Sequence, residues 1–165
     1  MVVSVKIEEA PLEAYNLTVE GFHTYAVGYL NAQVHNDCRE VPQHVFDGHV
    51  GKDDSFLVRR HQNEGLKVQA STFTLQQSAQ SLTNSVLDSA GGQADITRFL
   101  SDANGPRRLT LNSDALDLSF SSATGRTVIA GSRQSQAASG VRVVIQRDDT
   151  IEEGFRIVSS FPRRD

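Results

Sequence analysis

The chain has 165 residues, 20 of them acidic and 16 basic, for a net charge of -4, with one cysteine and no tryptophan. A lone cysteine cannot form an intrachain disulfide or a thiolate-rich metal site, which excludes a small disulfide-stapled fold. No apolar run approaches the roughly 20 residues that a membrane span needs, and no signal-peptide pattern follows Met1. We therefore expect a chain without stable membrane association that buries its core without covalent staples.

The charge is unevenly distributed along the chain. Residues 1–36 carry one basic and four acidic residues, whereas residues 37–165 carry 15 basic and 16 acidic residues and are nearly neutral. The bases of this larger part are mostly arginines, whose guanidinium fork suits phosphate. The composition is compatible with a phosphodiester substrate, although an ordinary solvated surface explains it as well.

Residues 1–36 have the pattern of short β-strands. Val3, Val5 and Ile7 alternate with polar residues, and residues 15–20 and 22–29 continue with aromatic and β-branched runs. These strands are too few to bury a core of their own, so the segment is interpreted as a fragment of a larger β-domain.

The run YNLTVEGFHTYAVG at residues 15–28, followed by VHN at 34–36, resembles the C-terminal end of an intein-like Hint domain of bacterial polymorphic toxins. The side-chain amide of a terminal asparagine can attack its own carbonyl while a preceding histidine protonates the leaving amine. His35 and Asn36 stand in that order and are candidate autocleavage residues. Asp37 cannot accept an acyl group, which favours release over splicing, and a simple turn before the next domain remains the alternative.

Residues 37–165 are predicted to place helices before strands. Asp53 or Asp54 caps a helix that ends near Glu64, and a Thr74–Gln77 capping box starts another that ends at Gly91–Gly92. A third short helix covers residues 96–100, and strands follow at residues 109–111, 116–120, 127–130, 141–147 and 155–161. This order indicates an α+β domain with a twisted antiparallel sheet, in which alternation puts residues 155, 157, 159 and 161 on one face.

Five segments of this part together resemble the bacterial ribonuclease A-like toxin domain of contact-dependent inhibition and related polymorphic toxins. They are HVGK at 49–52, an arginine at 60, ASTFT at 70–74, VRVVIQRD at 141–148 and FRIVSSFP at 155–162. The resemblance implies a ribonuclease A-like fold without disulfides and metal-independent cleavage of RNA. It also implies a site made of one His, one Arg and a Thr-x-Tyr pair on the last strand.

His49 and Arg60 match the first two of these positions, and Ser159 and Phe161 occupy the Thr and Tyr positions. A histidine suits removal of the 2'-OH proton at neutral pH, and an arginine suits the charge of a phosphorane. Lys52 and Phe161 are the candidate substrate-binding residues, through charge and base stacking. His44 is the rival to His49, and the general acid is unassigned.

The resemblance implies no cofactor and no metal. The implied partners are an RNA substrate, with tRNA as one candidate, a cognate immunity protein, and a larger secreted polypeptide that delivers the toxin into the cytoplasm of a competing bacterium. The alternatives are a toxin of another class, a DNase or a deaminase, and a noncatalytic protein-binding module whose arginines serve protein contacts.

Overall fold

The structure is a computed structural model that describes residues 24–27, 32–35, 39–65 and 69–164. The chain divides into two compact units, Met1–Asp37 and Cys38–Asp165. In the smaller unit, β1 (Thr24–Val27) and β2 (Ala32–His35) pair antiparallel. The other predicted strands of residues 1–36, the side chain of His35 and the whole of Asn36 lie outside the described residues.

The described part of the larger unit contains four α-helices and six strands. The helices are α1 (Gln43–His49), α2 (Asp54–Asn63), α3 (Gln76–Asp88) and α4 (Ala90–Ser101). The strands are β3 (Gln69–Thr72), β4 (Arg108–Asn112), β5 (Gly125–Ile129), β6 (Gln136–Ala138), β7 (Gly140–Arg147) and β8 (Phe155–Arg163). No helix of the described residues is long and apolar enough to cross a membrane.

The strands form two small antiparallel sheets, in the orders β3-β5-β6 and β4-β7-β8. The predicted α+β class is confirmed, with two sheets in place of the single sheet expected. The prediction of a strand at residues 116–120 is wrong. The structure instead has a 3-10 turn at Asp114–Leu116. Asp117 follows it with a left-handed φ of 54°, which is incompatible with an extended strand.

The main core lies between the sheet β4-β7-β8 and the helices that cover one of its faces. The sheet contributes alternating residues, such as Val141, Val143 and Ile145, which are fully buried because successive side chains point to opposite faces. The helices contribute Val86, Leu87, Ile96 and Phe99 to the same cluster. Each side chain buried in this way stabilises the fold by about 1.5–3 kcal/mol.

The start of α2 matches its sequence signal. Asp53 is the N-cap, and its carboxylate accepts a hydrogen bond of 2.7 Å from the backbone N–H of Phe56. This bond and a second one from Ser55 lower the pKa of the exposed Asp53 carboxyl. Gly65 follows the helix with a φ of +57°, so the predicted bounds of α2 are confirmed.

The predictions for the bounds of α3 are wrong at both ends. Leu75 is the N-cap and makes no side-chain capping bond, so the Thr74–Gln77 capping box does not form. The break between α3 and α4 falls at Ser89, whose hydroxyl accepts a hydrogen bond from the backbone N–H of Gly92. A Cβ on Gly92 would lie 2.2 Å from the carbonyl oxygen of Val86, so this glycine permits the tight junction and does not end a helix.

A β-bulge in β8 corrects the predicted alternation of the last strand. Ser159 pairs with Val144 and Ile157 pairs with Ile145, so Val158 is an extra residue in β8. Phe155 and Ile157 are buried in the core, but beyond the bulge Ser160 and Pro162 take the core side. Ser159 and Phe161 still share a face, and it is the face opposite to Phe155 and Ile157.

Candidate active site

His49 is the last residue of α1, and backbone hydrogen bonds hold it against Phe73, the residue that follows β3. The N–H of Phe73 donates to the carbonyl of His49 at 2.7 Å, and the N–H of Gly51 donates to the carbonyl of Phe73 at 2.9 Å. The φ of Gly51 is +64°, a turn that glycine adopts without strain. These bonds fix the backbone beside the imidazole, so the ring is positioned by the fold.

The ring of His49 has one nitrogen engaged with the backbone. Its Nδ1 lies 3.2 Å from the carbonyl oxygen of Ser71. The carbonyl oxygen can only accept, and its contact is shorter than the 3.5 Å approach of the Arg60 Nη1 donor to the same nitrogen, so the geometry favours the tautomer with the hydrogen on Nδ1 and the lone pair on Nε2. The arrangement prepares Nε2 to accept a proton.

Arg60 reaches the same ring from α2. Its Nη1 donates to the carbonyl of Gly48 at 2.7 Å and lies 3.5 Å from Nδ1 of His49. Its Nε donates to both carboxylate oxygens of Glu64, at 3.1 and 3.0 Å. A Cβ on Gly48 would lie 3.3 Å from Nη1, which shows how closely the guanidinium approaches the end of α1.

The pKa of His49 is lowered from 6.5 to about 4, mainly by burial and next by the adjacent positive charge of Arg60. The hydrogen bond to Ser71 and the charge of Glu64 oppose this shift, and His44 adds to it. His49 is therefore neutral at physiological pH. A neutral imidazole is the form that a general base requires.

Phe161 forms the other wall of the site. Its ring is stacked on the imidazole of His49, with centroids 5.4 Å apart and an interplanar angle of 19°. Ser159 lies on the same face of β8, and its side chain makes no hydrogen bond within the described residues. The neighbouring Ser160 points into the core instead, where it accepts a 2.7 Å hydrogen bond from Thr83.

Lys52 lies in the loop between α1 and α2. Its ammonium nitrogen is 5.2 Å from the ring centre of Phe56, a cation–π contact, and its backbone N–H donates to the hydroxyl of Thr72 at 3.0 Å. The described contacts of Lys52 are with α2, with β3 and with Arg126 of β5, which donates to the carbonyl of Lys52 at 2.9 Å. Lys52 directly follows Gly51 in the turn after His49, and its described contacts include none with the imidazole.

The structure thus brings His49, Arg60 and Phe161 into contact and leaves Ser159 on the same strand face as Phe161. Sequence reasoning missed Glu64 and the carbonyl of Ser71. Glu64 stands four residues after Arg60, a spacing that predicts a helical ion pair. Ser71 lies within the 70–74 motif, but a backbone carbonyl gives no side-chain signal in a sequence.

Three comparisons bear on the identity of this domain. Residues 43–162 match the family model described as the bacterial CdiA-CT RNAse A domain. The chain is also similar to a chain in the crystal structure of a CdiA-CT/CdiI complex from Y. kristensenii 33638. The two are 28% identical, with a TM-score of 0.62, and the match covers 72% of this chain and 97% of that chain. No curated protein sequence matches.

The fold is that of an α+β domain, and its candidate site holds a histidine and an arginine together beside a sheet. The family match spans more than half of the chain, and this chain belongs to the bacterial CdiA-CT RNase A domain family. The predicted ribonuclease A-like toxin domain is thereby confirmed at the level of family and fold.

Proposed function

We propose that this domain is an endoribonuclease that cleaves RNA by metal-independent transphosphorylation, with His49 as the general base. One observation carries the proposal: Nδ1 of His49 faces the carbonyl of Ser71 at 3.2 Å, so that Nε2 of a neutral ring bears the lone pair. RNA provides its own nucleophile in the 2'-OH. The protein therefore needs only to move protons and stabilise charge.

In the proposed reaction, Nε2 of His49 takes the proton of the 2'-OH as that oxygen attacks the adjacent phosphorus. The bond from phosphorus to the 5'-oxygen breaks, which leaves a 2',3'-cyclic phosphate and a new 5'-hydroxyl. Water supplies the proton that the departing 5'-oxygen takes up. The reaction as written needs no metal and no cofactor.

Arg60 is proposed to stabilise the negative charge that develops on the phosphorane. Its side chain is 20% exposed, and Glu64, half exposed, is its ion-pair partner. Ion pairs with exposed partners contribute about 0–1 kcal/mol, so a phosphate can replace Glu64 as the partner of the guanidinium. Ser159 is proposed to hydrogen-bond the phosphate, Phe161 to stack on a base, and Lys52 to add positive charge at the edge of the site.

The biological role proposed is that of a toxin in competition between bacteria. Family membership supports delivery by a larger contact-dependent inhibition polypeptide and action on RNA, with tRNA as one candidate, in the cytoplasm of the target cell. The similar structure from Y. kristensenii 33638 is a complex of CdiA-CT with CdiI, which supports a cognate immunity protein as a partner of this chain.

Residues 1–36 are proposed to be the C-terminal fragment of a Hint domain that precedes the toxin domain of residues 37–165. Its β-strand pairing supports this proposal, as does the division of the chain after Asp37. Cleavage would follow Asn36, with His35 as the proton donor. Mass spectrometry of the incubated chain tests this directly, and an intact mass after long incubation would contradict autocleavage.

The ribonuclease proposal is tested with the purified 165-residue chain, total bacterial RNA and plasmid DNA, all in EDTA. The expected result is loss of RNA with 2',3'-cyclic phosphate ends and intact plasmid. Intact RNA would contradict the enzyme proposal. Cleavage of the plasmid, or RNA ends with an ordinary 3'-phosphate from the earliest time point, would contradict the mechanism.

A further inference from the structure

The face of the sheet β4-β7-β8 that points away from the core carries three rows of cross-strand neighbours. The strand register defines them as Asn112–Arg142–Phe161, Thr110–Val144–Ser159 and Arg108–Gln146–Arg156. The first row contains the ring that stacks on His49, and the second contains Ser159. This face, which we call the outer face, is therefore continuous with the candidate active site.

Arg142 lies directly beside that site. Its guanidinium carbon is 5.9 Å from the ring centre of Phe161, and its Nε donates to the amide oxygen of Asn112 at 2.7 Å. Within the described residues no carboxylate forms an ion pair with Arg142. The partner is a neutral amide, which orients the guanidinium fork but leaves its charge uncompensated. Arg60 differs, because Glu64 balances its charge.

The third row repeats this arrangement. Nε of Arg108 donates to the amide oxygen of Gln146 at 3.0 Å, again with no carboxylate partner among the described residues. Gln146 is 6% exposed whereas Arg108 is exposed, so the amide lies beneath and the guanidinium faces solvent. Arg156 completes the row and is 56% exposed; its carboxylate partner, Asp148, is 3.8 Å away. Both ends of the outer face thus present arginine held by amides.

The spacing and chemistry of these rows suit a polyanion that continues beyond the site of cleavage. Rows one and three are four residues apart along β7, about 13 Å at roughly 3.3 Å per residue. That separation places the two guanidinium forks on different phosphates of a single strand. A neutral amide partner does not compete with phosphate for the arginine.

We propose that the outer face is a binding track for single-stranded RNA, in which Arg142 holds a phosphate adjacent to the scissile one and Arg108 holds a phosphate further along the chain. The proposal rests on the proposed ribonuclease function, which it extends from the reacting phosphate to the flanking nucleotides. It assigns the outer face to RNA and not to a protein partner.

The test compares Arg142→Gln and Arg108→Gln with Arg133→Gln in the full chain. Arg133 is exposed in the loop after β5, so its variant makes the same change of charge away from the track. The first measurement is binding of a ten-nucleotide 2'-O-methyl RNA, which cannot undergo transphosphorylation, as a function of salt. Each track variant is expected to reduce the slope of log K against log[salt] by about 0.7, and Arg133→Gln to leave it unchanged.

The second measurement is cleavage of a dinucleotide and of a ten-nucleotide RNA. Arg108→Gln is expected to raise KM for the longer RNA about tenfold while leaving dinucleotide cleavage at the wild-type rate. Arg142→Lys, which keeps the charge, is expected to retain the wild-type salt slope and controls for loss of structure in Arg142→Gln.

The outcomes separate this proposal from the one on which it rests. Wild-type protein that binds the modified RNA through these arginines but cleaves no RNA would contradict the ribonuclease function alone. Track variants that bind and cleave like the wild type, or a loss of equal size in Arg133→Gln, would overturn the track. Failure of the wild type to bind the modified RNA would also overturn it.

Discussion

The imidazole of His49 and the phenyl ring of Phe161 are stacked with their centroids 5.4 Å apart, which joins the end of α1 to the last strand of the domain. Phe161 stands where the family resemblance leads us to expect a tyrosine. Phe161 lacks the phenol hydroxyl, so it contributes only its ring to the site. The ring covers the imidazole and contributes to the burial that lowers the pKa of His49.

Replacing Phe161 with leucine should therefore change both catalysis and titration. Loss of an aromatic pair worth about 0.5–1.5 kcal/mol should reduce kcat/KM about 3- to 10-fold. The pKa of His49 should rise from about 4 toward 6.5, since burial is the main cause of its depression. NMR titration of the imidazole and RNA cleavage kinetics measure the two effects, and Phe120→Leu, which removes a ring away from the histidine, is the control. An unchanged pKa with unchanged kcat/KM would contradict the role of the stack.

The pH dependence of cleavage should distinguish the free domain from the RNA complex. The acid limb of kcat/KM should fall near pH 4, because activity is lost as pH falls and protonation removes the lone pair of His49. A bound phosphate carries negative charge that raises the pKa of a nearby imidazole. The acid limb of kcat should therefore lie at higher pH than that of kcat/KM. Circular dichroism across the same pH range checks that the chain is folded, and a kcat limb at or below the kcat/KM limb would be inconsistent with His49 beside the phosphate.

Arg60→Lys tests whether the shape of the guanidinium matters as well as its charge. An ammonium group cannot donate to Gly48, face Glu64 and bind phosphate through a planar fork, so kcat/KM should fall about 10- to 100-fold. Arg59→Lys is the matched control in the same helix, since Arg59 is exposed and, among the described residues, its side chain donates only to Ser55. Thermal melts of both variants check the fold. Wild-type kinetics for Arg60→Lys would show that positive charge alone is sufficient.

The α3–α4 junction gives a prediction about stability. Gly92→Ala should reduce the free energy of unfolding by about 2 kcal/mol or more, because the new Cβ would lie 2.2 Å from the carbonyl oxygen of Val86. Gly91→Ala should cost clearly less than Gly92→Ala, since its Cβ meets Cδ2, Cβ and Cα of Leu116 at 3.1, 3.3 and 3.4 Å, with no atom as near as 2.2 Å, and alanine favours the helix. Urea unfolding compares the two, and equal losses would contradict the tight junction.

Much of this architecture is predictable from local patterns. The α2 cap at Asp53 and the strands β4, β5, β7 and β8 follow from short-range signals, namely a capping carboxylate and period-2 alternation. The wrong predictions occur where tertiary contacts override local preference. The Thr74–Gln77 pattern resembles a capping box, yet Leu75 is the N-cap of α3, and Phe73, two residues before it, is hydrogen-bonded to the backbone of residues 49–51.

The candidate site is predictable in its members but not in its geometry. His49, Arg60, Ser159 and Phe161 come from the family resemblance, and the structure joins three of them. The β-bulge at Val158 could not be anticipated, because the run FRIVSSFP alternates plausibly without it. The same holds for Ser71, whose contribution is a backbone carbonyl, and for the amide-held arginines of the outer face, which depend on cross-strand register.

Cleavage of RNA by His49→Ala, measured beside His44→Ala under single-turnover conditions, tests the central claim most directly. Loss of the general base should reduce the rate about 10²- to 10⁴-fold in His49→Ala. His44 is exposed, and its variant should cleave within a few-fold of the wild type. Folded His49→Ala protein that cleaves RNA at the wild-type rate, with the loss found instead in His44→Ala, would contradict the assignment of His49 as the base.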